Sequence, residues 1–133
     1  MWPQDLLEGQ QVEREVIPYL ERFYPGSEAW QNRLNPYICD LWWKWPDYEK
    51  PFKVEVKYDR LSEKTGNVAL EHHSLLTSTA AFVVYLAAGH VCLLDGAEVR
   101  RLIDEYPVTV GGDQNHLLTL VPKDDFIRRS TLI

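Results

Sequence analysis

Residues 52–59 read FKVEVKYD, and the fold turns on how this stretch is read. Phe52, Val54, Val56 and Tyr58 fall on one face, and Lys53, Glu55, Lys57 and Asp59 on the other. This is the period of two expected of a half-buried β-strand. Upstream, NPYICDLWWKW (35–45) reads as a second strand that begins at Pro36, and WPDYEKP (45–51) as a turn with a proline at each end. The two runs should therefore pair as an antiparallel hairpin. Downstream, SEKTGN (62–67) is expected to turn with Gly66 at its tightest point, and VALEHH (68–73) to form a third strand.

Before the hairpin, residues 4–23 carry Leu6, Leu7, Val12, Val16, Ile17, Leu20 and Phe23 as one apolar stripe, which predicts a helix. Asp5 sits in its first turn or caps it, and Pro18 inside the pattern withdraws one backbone donor. YPGSEAW (24–30) ends it. After the third strand, TSTAAFVVYLAAG (77–89) predicts a buried helix, capped by Thr77 or Ser78 and ended by Gly89. HVCLLD (90–95) then reads as a strand, and GAEVRRLIDEY (96–106) as a short amphipathic helix with Val99, Leu102 and Ile103 facing inward. PVTV and HLLTLVP flank GGDQN as a closing hairpin, and KDDFIRR (123–129) adds a last turn. The expected fold class is α/β (α+β), a small mixed sheet flanked by helices in a single domain over residues 1–133.

Composition sets the outer bounds. With 133 residues, 45% of them hydrophobic and 26% charged, the chain is long and apolar enough to fold around a core. No apolar run approaches the roughly 20 residues that span a bilayer. The opening MWPQDLLEGQ has no basic segment followed by an apolar stretch, so no secretory signal is expected there. Cys39 and Cys92 lie far apart without zinc-ligand spacing, and read as free thiols in a reducing, cytoplasmic setting. The net charge of −6 argues against a protein that coats nucleic acid. It leaves room for an enzyme that gathers carboxylates around a metal.

Asp40 is the residue that draws attention to chemistry. It interrupts the apolar run YICDLWW (37–43), where an ionised carboxylate without a partner is costly. A bound cation is one answer, and a salt bridge to Lys53, Lys57 or an arginine is the other. Asp40 and Glu55 lie on paired strands, and Glu55 and Lys57 share a face. Two carboxylates converging on one point suit Mg²⁺. The adjacent lysine suits a metal-bound water or a reacting phosphate. For Glu55 and Lys57 alone, the wet face of a surface strand is the plainer reading.

Asp40, fourteen residues, then Glu55-Val56-Lys57 is similar to the motif of the PD-(D/E)XK nuclease superfamily. EGQQVEREVIPYL (8–20) also resembles the first helix of Holliday junction resolvase-like proteins, which places the helical acid of that family at Glu13. VKYDRLSEKTGNVALE (56–71) followed by TSTAAFVVYLA resembles small phage and bacterial endonucleases of the superfamily, through Thr65, Gly66, Asn67, Glu71 and Thr77–Thr79. There are departures. Pro36 stands four residues before Asp40 rather than beside it, and Thr79 and Ala81 replace a Lys and an Asp common in relatives.

The resemblance implies a restriction-endonuclease-like αβββαβ core and a Mg²⁺- or Mn²⁺-dependent endonuclease that hydrolyses DNA, branched or junction DNA among the substrates. Asp40, Glu55, the Val56 carbonyl and Glu13 would hold the metal, and Lys57 would act on the attacking water. Asn67, Glu71, Thr77 and Ser78 would face the substrate. A homodimer or a partner subunit would complete the working form. Two other readings stand beside it: a non-catalytic interaction module that keeps the fold, and an RNA nuclease or repair component.

The remaining signals are plainer. His72 and His73 should point to opposite faces of one strand and not share a metal. Of Trp42, Trp43 and Trp45, most should be core rather than platforms for unpaired bases. Lys53 and Asp59 read as ordinary wet-face residues. Arg100, Arg101, Arg128 and Arg129 are the best source of a local basic stripe.

Overall fold

The computed structural model describes residues 3–35, 38–111 and 116–133. The side chains of residues 3–8 fall outside that set, so the expected places of Asp5, Leu6, Leu7, Pro36 and the tip of the closing turn lie outside the described residues.

Helix α1 (Pro3–Phe23) carries Pro18 without ending there. Its stripe sinks Val16 and Leu20 completely, each such burial contributing about 1.5–3 kcal/mol. Strand β1 (Glu28–Gln31) follows, in a segment read from sequence only as the end of the helix. Strand β2 (Leu41–Lys44) is shorter than expected, and β3 (Phe52–Asp59) is the stretch FKVEVKYD. These strands pair antiparallel in succession, with Leu41 opposite Val54 and Trp43 opposite Phe52. The alternation holds along most of β3: Val54 is fully buried and Val56 packs on the core behind it. At its far end Tyr58 turns out to solvent beneath the Arg60 guanidinium. Trp43 is fully buried and donates its indole N–H to Ser27 Oγ at 2.9 Å.

The structure departs from the sequence reading after β3. SEKT forms a one-turn helix, α2 (Ser62–Thr65), ended by Gly66 at φ 76°. The chain then leaves the sheet. Strand β4 (Asn67–Glu71) is not the third member of an antiparallel meander but pairs with a later strand of a second sheet. His72 and His73 are not on that strand; they open helix α3 (His72–Thr77).

The expected buried helix at 77–89 is strand β5 (Phe82–Ala87), parallel to β3 and antiparallel to β6 (His90–Asp95). A strand sandwiched between two others and covered on both faces needs no polar side, so FVVYLA is continuously apolar and mimics a core helix. Its β-branched and aromatic content favours the strand. Gly89 does not end a helix. With Ala88 it makes the two-residue turn from β5 to β6, both at positive φ (51° and 76°), as a twist-matched hairpin requires.

Most of the closing elements follow expectation. Helix α4 (Gly96–Glu105) buries Val99, Leu102 and Ile103, and Asp95 caps it by accepting from Glu98 N. Strands β7 (Val108–Gly111) and β8 (His116–Pro122) form the antiparallel hairpin. Helix α5 (Lys123–Arg129) takes the place of the expected last turn, and β9 (Thr131–Leu132), not foreseen from the sequence, pairs antiparallel with β6.

The protein is thus a mixed α+β structure. A six-stranded sheet in the order β1-β2-β3-β5-β6-β9 faces a three-stranded sheet in the order β4-β8-β7. One buried layer lies between α1 and the large sheet, around Val16, Leu20, Leu41, Trp43 and Val84. The other lies between the opposite face of that sheet and the small sheet with α4 and α5, around Val68, Leu70, Tyr85, Leu102 and Phe126. Both cysteines are buried and free, and burial pushes both thiols above their ordinary pKa. Among the described residues no helix is long and apolar enough to cross a membrane.

Candidate active site

The three acids come from α1, from the residue just before β2 and from β3, and meet where β2 begins. Glu13 lies one turn before Val16 on α1, so the packing that seats Val16 and Leu20 carries Glu13 to the edge of the sheet. Asp40 immediately precedes β2. Its backbone is pinned on both sides, its N–H to Val54 O (3.1 Å) and its carbonyl to Asn32 N (3.0 Å). The ladder between β2 and β3 stops at the Leu41–Val54 pair, and the side chain of Asp40 takes over. Its Oδ2 accepts the next free strand donor, Val56 N, at 2.8 Å. In an extended strand the N–H and C=O of one residue point to the same side, so the Val56 carbonyl faces the same open edge.

Glu13 and Glu55 are each in hydrogen-bonding contact with Asp40. Burial, then repulsion from Asp40, pushes each carboxyl from an ordinary 4.5 to about 7. Lys57 pulls Glu55 the other way, and Gln31, whose Nε2 donates to Glu13 Oε2 at 3.3 Å, does the same for Glu13. Two carboxyl groups can touch only with a proton or a cation between them. The salt bridge foreseen as an alternative partner for Asp40 is absent among the described residues. Lys57 instead donates to Ser74 Oγ at 3.0 Å.

Among the described residues no three or more His, Cys, Asp or Glu side chains are grouped so as to hold a metal ion. The oxygen donors that a hard divalent cation would draw on here are the three carboxylates and the open-edge carbonyl.

Two clefts flank the acids. One, of about 570 Å³, has Glu13 and Asp40 in its wall together with Arg14 and Arg33. The other, of about 540 Å³, holds Glu55 with Lys53, His73, Ser74 and the Thr77–Thr79 hydroxyls. Thr77 and Ser78 therefore share a cleft with Glu55, but not from a helix N-terminus. They close α3, where Thr77 Oγ1 donates to His73 O (2.6 Å) and Ser78 Oγ accepts from Ala80 N (3.1 Å). A helix start at these residues, whose free N–H groups would attract phosphate, is therefore not available. Asn67 is a turn residue bonded to Thr65, and Glu71 pairs opposite Leu118; neither lines a cleft.

Sequence reasoning undervalued four residues. Lys53 shares a face with Glu55 and Lys57, so the period of two already placed it in this cleft. It bonds Thr79 Oγ1 at 3.1 Å. Asp59 is not a wet-face residue either; it accepts from Leu61 N and Ala69 N and ties the second sheet to β3. Ser74 and Gln31 gave no signal, because their partners are distant in sequence. His72 is structural, its Nε2 2.6 Å from Thr119 Oγ1. No protein-family model matches the chain, and no curated protein is detectably similar to it.

Proposed function

We propose that the protein is a divalent-metal-dependent endonuclease that hydrolyses phosphodiester bonds in DNA. The observation that carries this reading is the meeting of three carboxyl groups at the open start of β2, two of them held near pKa 7 by burial and by Asp40. The element order is α1, β1-β2-β3, α2, β4, α3, β5, so α2 and the second-sheet strand β4 interrupt the plain αβββαβ order that the resemblance implies.

Asp40, Glu55, the Val56 carbonyl and Glu13 would hold Mg²⁺ or Mn²⁺. The bound ion would acidify a water and neutralise charge developing on the phosphate. Asp40 also fixes the edge of β3 through Val56 N, which orients Glu55 and the Val56 carbonyl. Lys57, steadied by Ser74, presents a donor beside Glu55 for the attacking water or the phosphate oxygen. The Thr77–Thr79 hydroxyls and Lys53 supply hydrogen bonds to the substrate backbone.

The test is incubation of branched, single-stranded and duplex DNA with the protein and Mg²⁺ or Mn²⁺. Wild type should cut at least one of them, and Asp40→Asn and Lys57→Ala should not. Retained cutting by either variant would remove this site from the reaction. The net charge of −6 favours a second reading, an interaction module that keeps the fold. On that reading the melting temperature would be the same with and without the metal.

A further inference from the structure

The expected basic stripe does not exist where the sequence put it. Arg129 is taken by Glu98 (2.6 Å) and Glu105 (2.6 Å), Arg101 by Glu98 (2.7 Å) and Arg128 by Asp125 (2.9 Å). Arg100 reaches Ser78 O at 3.4 Å. Arg100 is among several cations with no carboxylate partner among the described residues, and three of these cations line the clefts beside the acids. Arg14 and Arg33 lie in the cleft on the Glu13–Asp40 side, and Lys53 in the cleft on the Glu55 side. Arg33 touches only Gln31 Oε1, at 3.5 Å, and Lys53 only the Thr79 hydroxyl. An acidic chain has thus left unneutralised cations in two grooves that meet at one acid cluster.

Resting on the nuclease reading, we propose that the two clefts seat a single DNA strand running past the acids. Lys53 and Thr79 take a phosphate on one side of the bond to be cut, and Arg14 and Arg33 take a phosphate on the other. Guanidinium forks and an ammonium–hydroxyl pair are both suited to phosphate oxygens. Such contacts fix register on the backbone without reading bases. The acids between them repel phosphate until a cation is present, so the flanking contacts alone supply affinity in its absence. The bound strand is chosen for its backbone and not its sequence.

The experiment is fluorescence anisotropy of a labelled single-stranded DNA with the full chain in EDTA, where no cutting occurs, over a series of KCl concentrations. Lys53→Ala should weaken binding several-fold and flatten the log K against log salt slope by about 0.7, the value for one lost phosphate contact on a single strand. The pair Arg14→Ala with Arg33→Ala should flatten it by a similar amount or more, and Arg128→Ala should leave it unchanged. Melting temperatures close to wild type establish that the variants are folded. Unchanged slopes in both cleft variants, with wild type binding and cutting DNA, overturn the strand path and leave the nuclease reading intact. Binding of an RNA strand but not of DNA overturns the assignment to DNA. A wild type that neither binds nor cuts any nucleic acid overturns both.

Discussion

The protein holds two clusters of charge that solve the same problem in opposite ways. At one end Glu98 and Glu105 share Arg129, with Arg101 also on Glu98. Burial pushes the Glu98 carboxyl up, but the hydrogen bonds from Arg101 and Arg129 outweigh it and hold it below its ordinary value. Glu105 is held below by Arg129. At the other end Glu13, Asp40 and Glu55 crowd together with no ion pair to any of them among the described residues, and two of them are pushed up to about 7. The first cluster is complete as it stands and fastens α4 to α5. The second is short of positive charge, and native structures retain such an arrangement where something else must bind. Charge alone does not mark a site; charge left uncompensated does.

The largest effect separates the clusters by activity. Asp40→Asn and Lys57→Ala should each lower the cleavage rate by about 10²-fold or more, the scale of losing one preorganised electrostatic contact in a reaction centre. Arg129→Ala, assayed below its melting temperature, should cut at close to the wild-type rate. A rate loss in Arg129→Ala equal to that in Lys57→Ala would erase the distinction between the two clusters.

Next in size is the response to metal. At a concentration about 100 times Kd, Mg²⁺ or Mn²⁺ should stabilise the native state by about 2.7 kcal/mol, measured as a rise in melting temperature. The rise should vanish in Asp40→Asn and persist in Arg129→Ala. An equal rise in all three proteins would mean that the ion binds away from the acids.

The same contrast explains what could be read from the sequence. The hairpin partner strand, FKVEVKYD and the shared face of Glu55 and Lys57 were legible because period-two alternation is local, whereas Glu13 was singled out only through the resemblance. The α+β class was legible for the same reason. Strand β5 was not, since a strand buried on both faces loses its alternation and FVVYLA then reads as a core helix. Strand β4 was misplaced because its partner, β8, lies some fifty residues on (Val68 pairs with Val121), and no local pattern specifies a partner. Of the arginine pairs, only Arg129 misled in the same way. It reaches Glu98 only because α5 packs beside α4, whereas Arg101–Glu98 and Arg128–Asp125 are pairs three residues apart within one helix that local spacing already offered.

A smaller effect tests the completed cluster by itself. Arg129→Ala leaves Glu98 half-partnered and Glu105 without its main donor, and should lower the melting temperature by a few degrees. Arg129→Lys should recover only part of this, because an ammonium cannot serve both acids as the guanidinium fork does. Full recovery by lysine would mean that the network acts through net charge and not through its geometry.

The smallest effect is in the pH dependence of stability, where the clusters should differ in sign. Between pH 4.5 and about 7 the folded, metal-free protein keeps protons on Glu13 and Glu55 that the unfolded chain has released. The native state then binds more protons than the unfolded one, so stability falls as pH rises through this window. Glu98 and Glu105 run the other way. Their lowered pKa values give stability that is present above the ordinary carboxylate range and is lost as pH falls through their folded values. Thermal melts across this range should therefore show a decline toward neutral pH that Glu55→Gln flattens and Arg129→Ala leaves in place. Saturating Mg²⁺ should reverse that decline, because an ion bound to the acids favours their deprotonated forms. A decline untouched by Glu55→Gln would mean that the acids at the start of β2 are well solvated, and the contrast between the two clusters would rest on geometry alone.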